Sequence, residues 1–401
     1  MARRTVLTYG LMTSVLASGY GVMFTVLDDF RDEYGIAEYW LGAIVGIGFL
    51  ASFVSQIVLA PIADRGHARQ LVLWGLALNV FGLLGMAFGE VVSVLLAARF
   101  VMGIGVGMAV PAVRRIVIVA EPQRIGHNLG RLLAADVGGF AAGPAVAALL
   151  VGPLGIPGPF LVIAAGTVAT LPFVVRNSRV AAAPLDEVPS QRLAFDLLRI
   201  RPFAGALLLG CAVWVMIGSF DALWSVALDD LDTADWIANL GITLFALPLV
   251  ALGAVGGRLA QRVGPFRVGT IGLLLGAAFM IMYGLVPSGV AMFAVAMLHS
   301  VSDGLTISST GVAVGMVVPG ERQAGAQGLL GGAQTLMAGV TALIAGAMYD
   351  HFGRTAAYAV AGAVMLVLIV SGATLASSAW RLRGEPTPPA LPVAAPVTAP
   401  D

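Results

Sequence analysis

About twelve times, this chain strings together enough apolar residues to cross a lipid bilayer. A run of about 20 such residues spans a hydrocarbon core roughly 30 Å thick, and backbone polar groups inside lipid must pair within their own segment. The runs are therefore helices. They cover 5–27, 40–63, 70–89, 91–113, 126–151 and 157–175, then 203–228, 236–257, 268–286, 288–317, 324–348 and 355–379. With 59% hydrophobic residues, 11% charged residues and a mean hydropathy of +0.93, little chain remains for a soluble domain. The expected fold is an all-α membrane protein with twelve transmembrane helices in two pseudo-symmetric six-helix bundles.

Charge orients the chain. Arg3 and Arg4 precede the first run, which puts the N-terminus in the cytoplasm. With that choice every arginine falls on the cytoplasmic side except Arg31 and Arg354, which lie outside, and Arg99, which lies within a run. The opposite loops carry Asp28, Asp29, Asp32, Glu33, Asp229, Asp230, Asp232 and Asp235. Both termini are expected in the cytoplasm, in a bacterial inner membrane. The first run resembles a signal peptide in its basic start, but its length and the prompt second run read as an uncleaved anchor.

Residue types exclude several chemistries. All basic residues are arginine, so a Walker-A lysine and a Schiff-base lysine are ruled out. Cys211 is the single cysteine, and His67, His127 and His351 show no metal-ligand spacing. No metal, cofactor or nucleic-acid site is expected, no enzyme activity, and the expected state is a monomer in lipid.

An internal repeat divides the chain. Val26-Leu27-Asp28-Asp29-Phe30 closes the first run and Ala227-Leu228-Asp229-Asp230-Leu231 closes the seventh. Ala63-Asp64-Arg65 follows the second run, and Ala260-Gln261-Arg262 follows the eighth. Arg124, Gly130 and Asp136 match Arg322, Gly328 and Gln334 in the same order. Parallel repeats place a binding site between the halves near the midplane. The expected organisation is an N-terminal bundle over 1–175, a cytoplasmic linker over 176–202, a C-terminal bundle over 203–383 and a disordered tail over 384–401. Within the linker, 191–200 reads either as a short amphipathic surface helix or as a plain loop.

The segment Ala60-Pro61-Ile62-Ala63-Asp64-Arg65-Gly66-His67-Ala68-Arg69 resembles the loop motif of the major facilitator superfamily, Gly-x-Leu-Ala-Asp-Arg-x-Gly-Arg-Lys/Arg, between the second and third spans. Ala60 replaces its first glycine and Gly66 sits one place early. The resemblance covers the whole membrane region and implies a transporter with the major facilitator fold. Asp64, Arg65 and Arg69 are candidates for a conformational latch: a carboxylate at the cytoplasmic end of one span, facing arginines and the start of a neighbouring helix. The alternative is a turn whose charges only set topology. In the second half Gln261 replaces the acid, so a weaker latch is expected there.

Arg99-Phe100-Val101-Met102-Gly103-Ile104-Gly105 is similar to the superfamily's fourth-span motif, with Met102 where glutamine is usual. Gly139-Phe140-Ala141-Ala142-Gly143-Pro144-Ala145-Val146-Ala147-Ala148 resembles the fifth-span motif of the twelve-span drug:proton antiporters, with alanine for its last two glycines. Gly139, Gly143 and Pro144 allow close helix approach and a bend, which ordinary packing would also use. The resemblance favours export by antiport.

Charges inside spans cost about 2.5–3.5 kcal/mol each on insertion scales, so they are functional candidates. Arg99 lies about 13 Å below the outer boundary and Asp136 a similar distance above the inner one, on consecutive helices. Equal depth makes Asp136 the expected partner of Arg99, with the carboxylate exchanging proton and substrate; a static ion pair is the alternative. His299 and Asp303 are four residues apart on one helix face, and form either a second proton site or a structural polar pair. Asp221 lies beside Phe220 and Trp224 near an outer helix end, where it draws cations inward or is simply solvated. Tyr20, Phe24, Phe140, Trp214, Phe220 and Trp224 are candidates for an apolar substrate cavity.

These readings converge on a proton-driven antiporter that exports drugs or small amphiphiles by alternating access. Its rivals are a proton-coupled exporter or importer of a sugar, amino acid or siderophore, and a membrane sensor without flux. The sensor finds no signalling domain in the tail to support it.

Overall fold

A computed structural model describes residues 2–177 and 191–384. Most of the linker, 178–190, and the tail beyond 384 lie outside the described residues, so expectations for them stay untested.

Helix α1 (Ala2–Thr25) is followed by the short α2 (Leu27–Tyr34), α3 (Glu38–Val58), the single turn α4 (Ala60–Ile62) and α5 (Ala68–Phe88). Then come α6 (Val92–Ala120), α7 (Ile125–Leu154) and α8 (Pro157–Asn177). Beyond the linker lie α9 (Arg201–Asp229), α10 (Asp235–Val263), α11 (Pro265–Leu285), α12 (Gly289–Thr306), α13 (Ser308–Val317) and α14 (Gln323–Leu375). Within 191–200 only a short 3-10 turn forms, Phe195–Arg199, rather than an α-helix.

Among the described residues, ten helical runs are long and apolar enough to cross a membrane. Two of them, Tyr39–Phe88 with 50 residues and Gly320–Leu375 with 56, each contain a break. The first breaks at Arg65 and Gly66, where Gly66 has φ 90°, and the second at Gly353, with φ 79°. Left-handed backbone costs glycine nothing sterically, which explains why both breaks sit on glycine. Gly66, one place early against the family motif, is therefore the residue that turns the chain.

Small residues set the helix contacts, because lipid offers no hydrophobic drive between helices and close packing must supply the attraction. Gly139 lies against the Ser14 backbone and Gly143 against that of Gly21, joining α7 to α1. Gly103 and Gly107 meet Gly48 and Ser52, joining α6 to α3. A large buried apolar cluster lies within 194–376, and a second within 22–164. The third mixes residues 6–174 with Ala260, Val268, Val312, Met316 and Ala324. That mixed cluster is where the earlier and later helices join, at the end carrying the arginine loops.

Two helix pairs make this junction. Gly126 and Gly130 of α7 abut Gly257 and Gly253 of α10, so closely that a β-carbon on Gly126 would overlap the Gly257 carbonyl. Gly328 and Gly331 of α14 abut Gln56 of α3, whose Nε2 donates to Thr335 Oγ1 at 3.2 Å. The arginine end is thus closed.

Candidate functional site

At the closed end Asp64 is 2% exposed and fully engaged. Its Oδ1 accepts from the backbone N–H of Ala324 at 2.8 Å and from Arg115 Nε at 3.0 Å, and its Oδ2 accepts from the N–H of Gly325 at 2.7 Å. The first amides of α14 have no partner within their own helix, so a carboxylate from the other half of the chain satisfies them and meets the positive end of the helix dipole. The arginine on Asp64 is Arg115, not Arg65 or Arg69. Arg65 Nη2 donates to the Gln191 carbonyl at 2.7 Å, and Arg69 is exposed. Beside this cluster Arg322 grips Asp196 bidentately, at 2.8 and 2.6 Å.

Gln261, where the missing charge suggested a weaker latch, makes three side-chain hydrogen bonds. Its Oε1 accepts from Gly126 N–H at 2.9 Å, while its Nε2 donates to the carbonyls of Gln123 at 3.0 Å and Gly384 at 3.1 Å. Gly384 N–H returns a bond to the Gln261 carbonyl at 2.8 Å. A neutral amide both donates and accepts, so it ties three segments where a carboxylate could only accept.

The expected pairing of Arg99 with Asp136 does not occur. Arg99 is 0% exposed, its Cζ lies 4.1 Å from the Tyr20 ring centroid and 5.9 Å from that of Phe49, and none of its three guanidinium nitrogens has a hydrogen-bond partner. Gly48 makes room for it: a β-carbon there would stand 2.6 Å from Arg99 Cζ. The aromatic faces are its electrostatic partners, worth about 2 kcal/mol where desolvated. Asp136 is exposed, and the charged side chain acting on it is the half-buried Arg114. Matching depth did not fix azimuth. Arg99 leaves α6 toward α3, whereas Asp136 shares a face of α7 with Leu129, whose Cδ1 would lie 3.8 Å from a β-carbon on Gly311 of α13. Arg114 was expected in a loop, but α6 continues through it to Ala120.

His299 and Asp303 do come together. His299 Nε2 lies 3.5 Å from Asp303 Oδ2 and 3.1 Å from Met216 Sδ, and Nδ1 lies 2.8 Å from Tyr283 Oη. Both residues are buried, and the imidazole stacks on Phe279 with ring centroids 5.0 Å apart. Among the described residues no arginine reaches this pair.

The aromatic candidates separate into two groups. Phe24 and Phe140 are exposed, with rings 6.0 Å apart, and Phe24 is 6.4 Å from Phe49, making a shelf beside Tyr20. Trp214 is half-buried, whereas Phe220 and Trp224 are 4% and 0% exposed. Phe220 packs with Trp224, Phe245 and Tyr283 in the interior of the later helices, so Phe220 and Trp224 are core here rather than exposed cavity lining. Asp221 is exposed eight residues before the end of α9, about 12 Å inside the helix rather than at its tip. Gly139 and Gly143 serve the α1 contact, and Pro144 lies within a continuous α7.

Two residues at these sites, Arg115 and Tyr283, escaped sequence reasoning. Arg115 carried a signal, since it adjoins the end of the fourth run. Tyr283 had none, because 16 residues separate it from His299.

A family model described as Major Facilitator Superfamily matches residues 9–234 and 222–399. The multidrug resistance protein MdtG of Proteus mirabilis is 26% identical over 270 residues, which is 63% of this chain and 65% of that protein. A multi-drug resistance efflux pump PmrA homolog of Lactococcus lactis is 23% identical over 248 residues, 60% of this chain and 61% of that protein. The chain thus spans less than two thirds of either relative's length. The human organic anion transporter MFSD10 has the same fold, with a TM-score of 0.76 at 16% identity, over 92% of this chain and 99% of that one. Matched along nearly its whole length by the family model, the chain belongs to the Major Facilitator Superfamily and is a multi-pass membrane protein.

Proposed function

We propose that this transporter is a proton-driven antiporter that exports drugs or similar small amphiphiles. The observation that carries this reading is the buried His299–Asp303 pair, 3.5 Å apart and free of arginine neighbours among the described residues. An arginine cannot release its proton, so an acid paired with one is held ionised. A carboxylate paired with an imidazole can gain and lose a proton. Asp303 and His299 are therefore the leading proton carriers, and Asp136, facing Arg114, is the runner-up.

The exposed shelf of Phe24 and Phe140, together with Asp136 and Trp214, suits an apolar substrate with some positive charge. The drug-resistance names of MdtG and the PmrA homolog support the same class. In this reading Asp64 and Arg115 latch the arginine end shut, with Arg65 fixing the linker and Arg69 setting topology. As straight helices the runs of 50 and 56 residues would reach about 75 and 84 Å, more than twice a hydrocarbon core. Each is read as two passes, which gives twelve spans. Bundles over 1–175 and 203–383, a linker between them, cytoplasmic termini and a monomer in a bacterial inner membrane complete the proposal.

A second reading, proton-coupled transport of a specific metabolite, is favoured by Arg99, whose unpartnered nitrogens would receive a substrate carboxylate. Inverted vesicles loaded with a pH indicator test both. Export of lipophilic cationic dyes with proton counterflow supports drug antiport. Dye-independent proton movement on adding organic acids supports the second reading, and no proton movement with either removes both.

A further inference from the structure

We propose that Tyr283 is a positioning residue of the proton site, whose hydroxyl lets His299 change protonation state without losing a hydrogen-bond partner. This rests on the antiport reading above, which names His299 and Asp303 but gives Tyr283 no role.

The geometry dictates where each proton sits. His299 Nε2 faces two acceptors, Asp303 Oδ2 at 3.5 Å and Met216 Sδ at 3.1 Å. The hydrogen of a neutral ring belongs on that nitrogen. Nδ1 is then a bare acceptor, and the Tyr283 hydroxyl at 2.8 Å is the donor that satisfies it. When the ring takes a second proton, Nδ1 becomes a donor. A phenol oxygen can rotate and accept that bond, which a carbonyl or an amide N–H could not do in both states. The hydrogen of Tyr283 then has a neighbour in Tyr358, whose ring lies 5.6 Å away and whose buried hydroxyl has no hydrogen-bond partner.

Helix α12 supplies Asp303, α11 supplies Tyr283 and Phe279, α9 supplies Met216 and Phe220, and α10 supplies Phe245. Among the described residues, Asp303 is the charged group seen against the ring and Tyr283 the other titratable one. The imidazolium is balanced on one side by a carboxylate and accommodated on the other by a hydroxyl. The proton is thus taken by the imidazole of a three-residue set, not by the carboxyl alone.

The test uses full-length protein in nanodiscs with ring-labelled histidine, the His299 resonance being identified by its loss in His299→Gln. Expected is a titrating His299 signal whose midpoint falls by roughly half to one pH unit in Tyr283→Phe, because the charge-assisted bond lost by the imidazolium is stronger than the bond lost by the neutral ring. The acid limb of the proton-driven efflux profile should move the same way at equal protein abundance, a change that a purely structural tyrosine would not cause. If Tyr283→Phe fails to fold, 3-fluorotyrosine at position 283 keeps the ring and hydroxyl while weakening the oxygen as an acceptor, and should also lower the midpoint. An unchanged midpoint in either folded variant overturns the assignment while leaving antiport intact. Absence of proton counterflow in the unmodified protein overturns antiport itself, a result separable from the first.

Discussion

Asp64 and Gln261, at matching places in the two halves of the sequence repeat, each cap the first backbone amides of a helix in the opposite half. Asp64 receives the N–H groups of Ala324 and Gly325, and Gln261 that of Gly126. One cap is charged and holds an arginine as well. The other is neutral and also binds the chain just after the last helix. Both contacts join the two halves across the closed arginine end, so opening that end would require both to break.

Asp64→Asn keeps one carbonyl acceptor but loses the charge shared by three donors. Hydrogen bonds to a charged group contribute about 1.5–3 kcal/mol, so the closed state should lose on the order of one such bond. Turnover in reconstituted vesicles is expected to fall several-fold with insertion and abundance unchanged. Unchanged turnover would remove the latch.

Arg115→Ala leaves Asp64 buried without the guanidinium that hydrogen-bonds it, with Arg322 as the remaining nearby cation. Breaking a buried pair by removing one partner costs about 3–5 kcal/mol, far more than an exposed pair. Because Asp64→Asn already removes the charge that Arg115 serves, the two substitutions should be strongly non-additive in thermal stability. Additive losses would show that Arg115 acts elsewhere.

Gly126→Leu places a branched side chain where the Gly257 carbonyl now sits. The arginine end could then no longer close, and transport should be abolished while the protein remains inserted. A cysteine reporter near Gly253 should become open to a water-soluble maleimide in this variant alone. A reporter that stays protected contradicts the junction described here.

Asp303→Asn and Asp136→Asn separate the two candidate proton carriers. Asp303→Asn is expected to abolish proton-coupled efflux and to leave dye binding within about threefold. Asp136→Asn, on the exposed face of α7, should mainly weaken binding of cationic dyes. The reverse pattern would move the proton site to Asp136.

The amino-acid order settled everything that depends on spacing along one helix. Apolar runs of span length dictated the helices, because backbone in lipid has no partner outside its own segment. A separation of four residues brought His299 beside Asp303, and the motif around Asp64 placed a carboxylate at a helix junction. Contacts between helices were settled only in three dimensions. Equal depth suggested that Arg99 meets Asp136, yet depth leaves the direction around each helix axis open, and Gly48 draws Arg99 onto α3 and under Tyr20. Likewise Phe220 and Trp224 are as apolar in sequence as Phe24 and Phe140. Only packing decides which rings fill a core and which stay exposed.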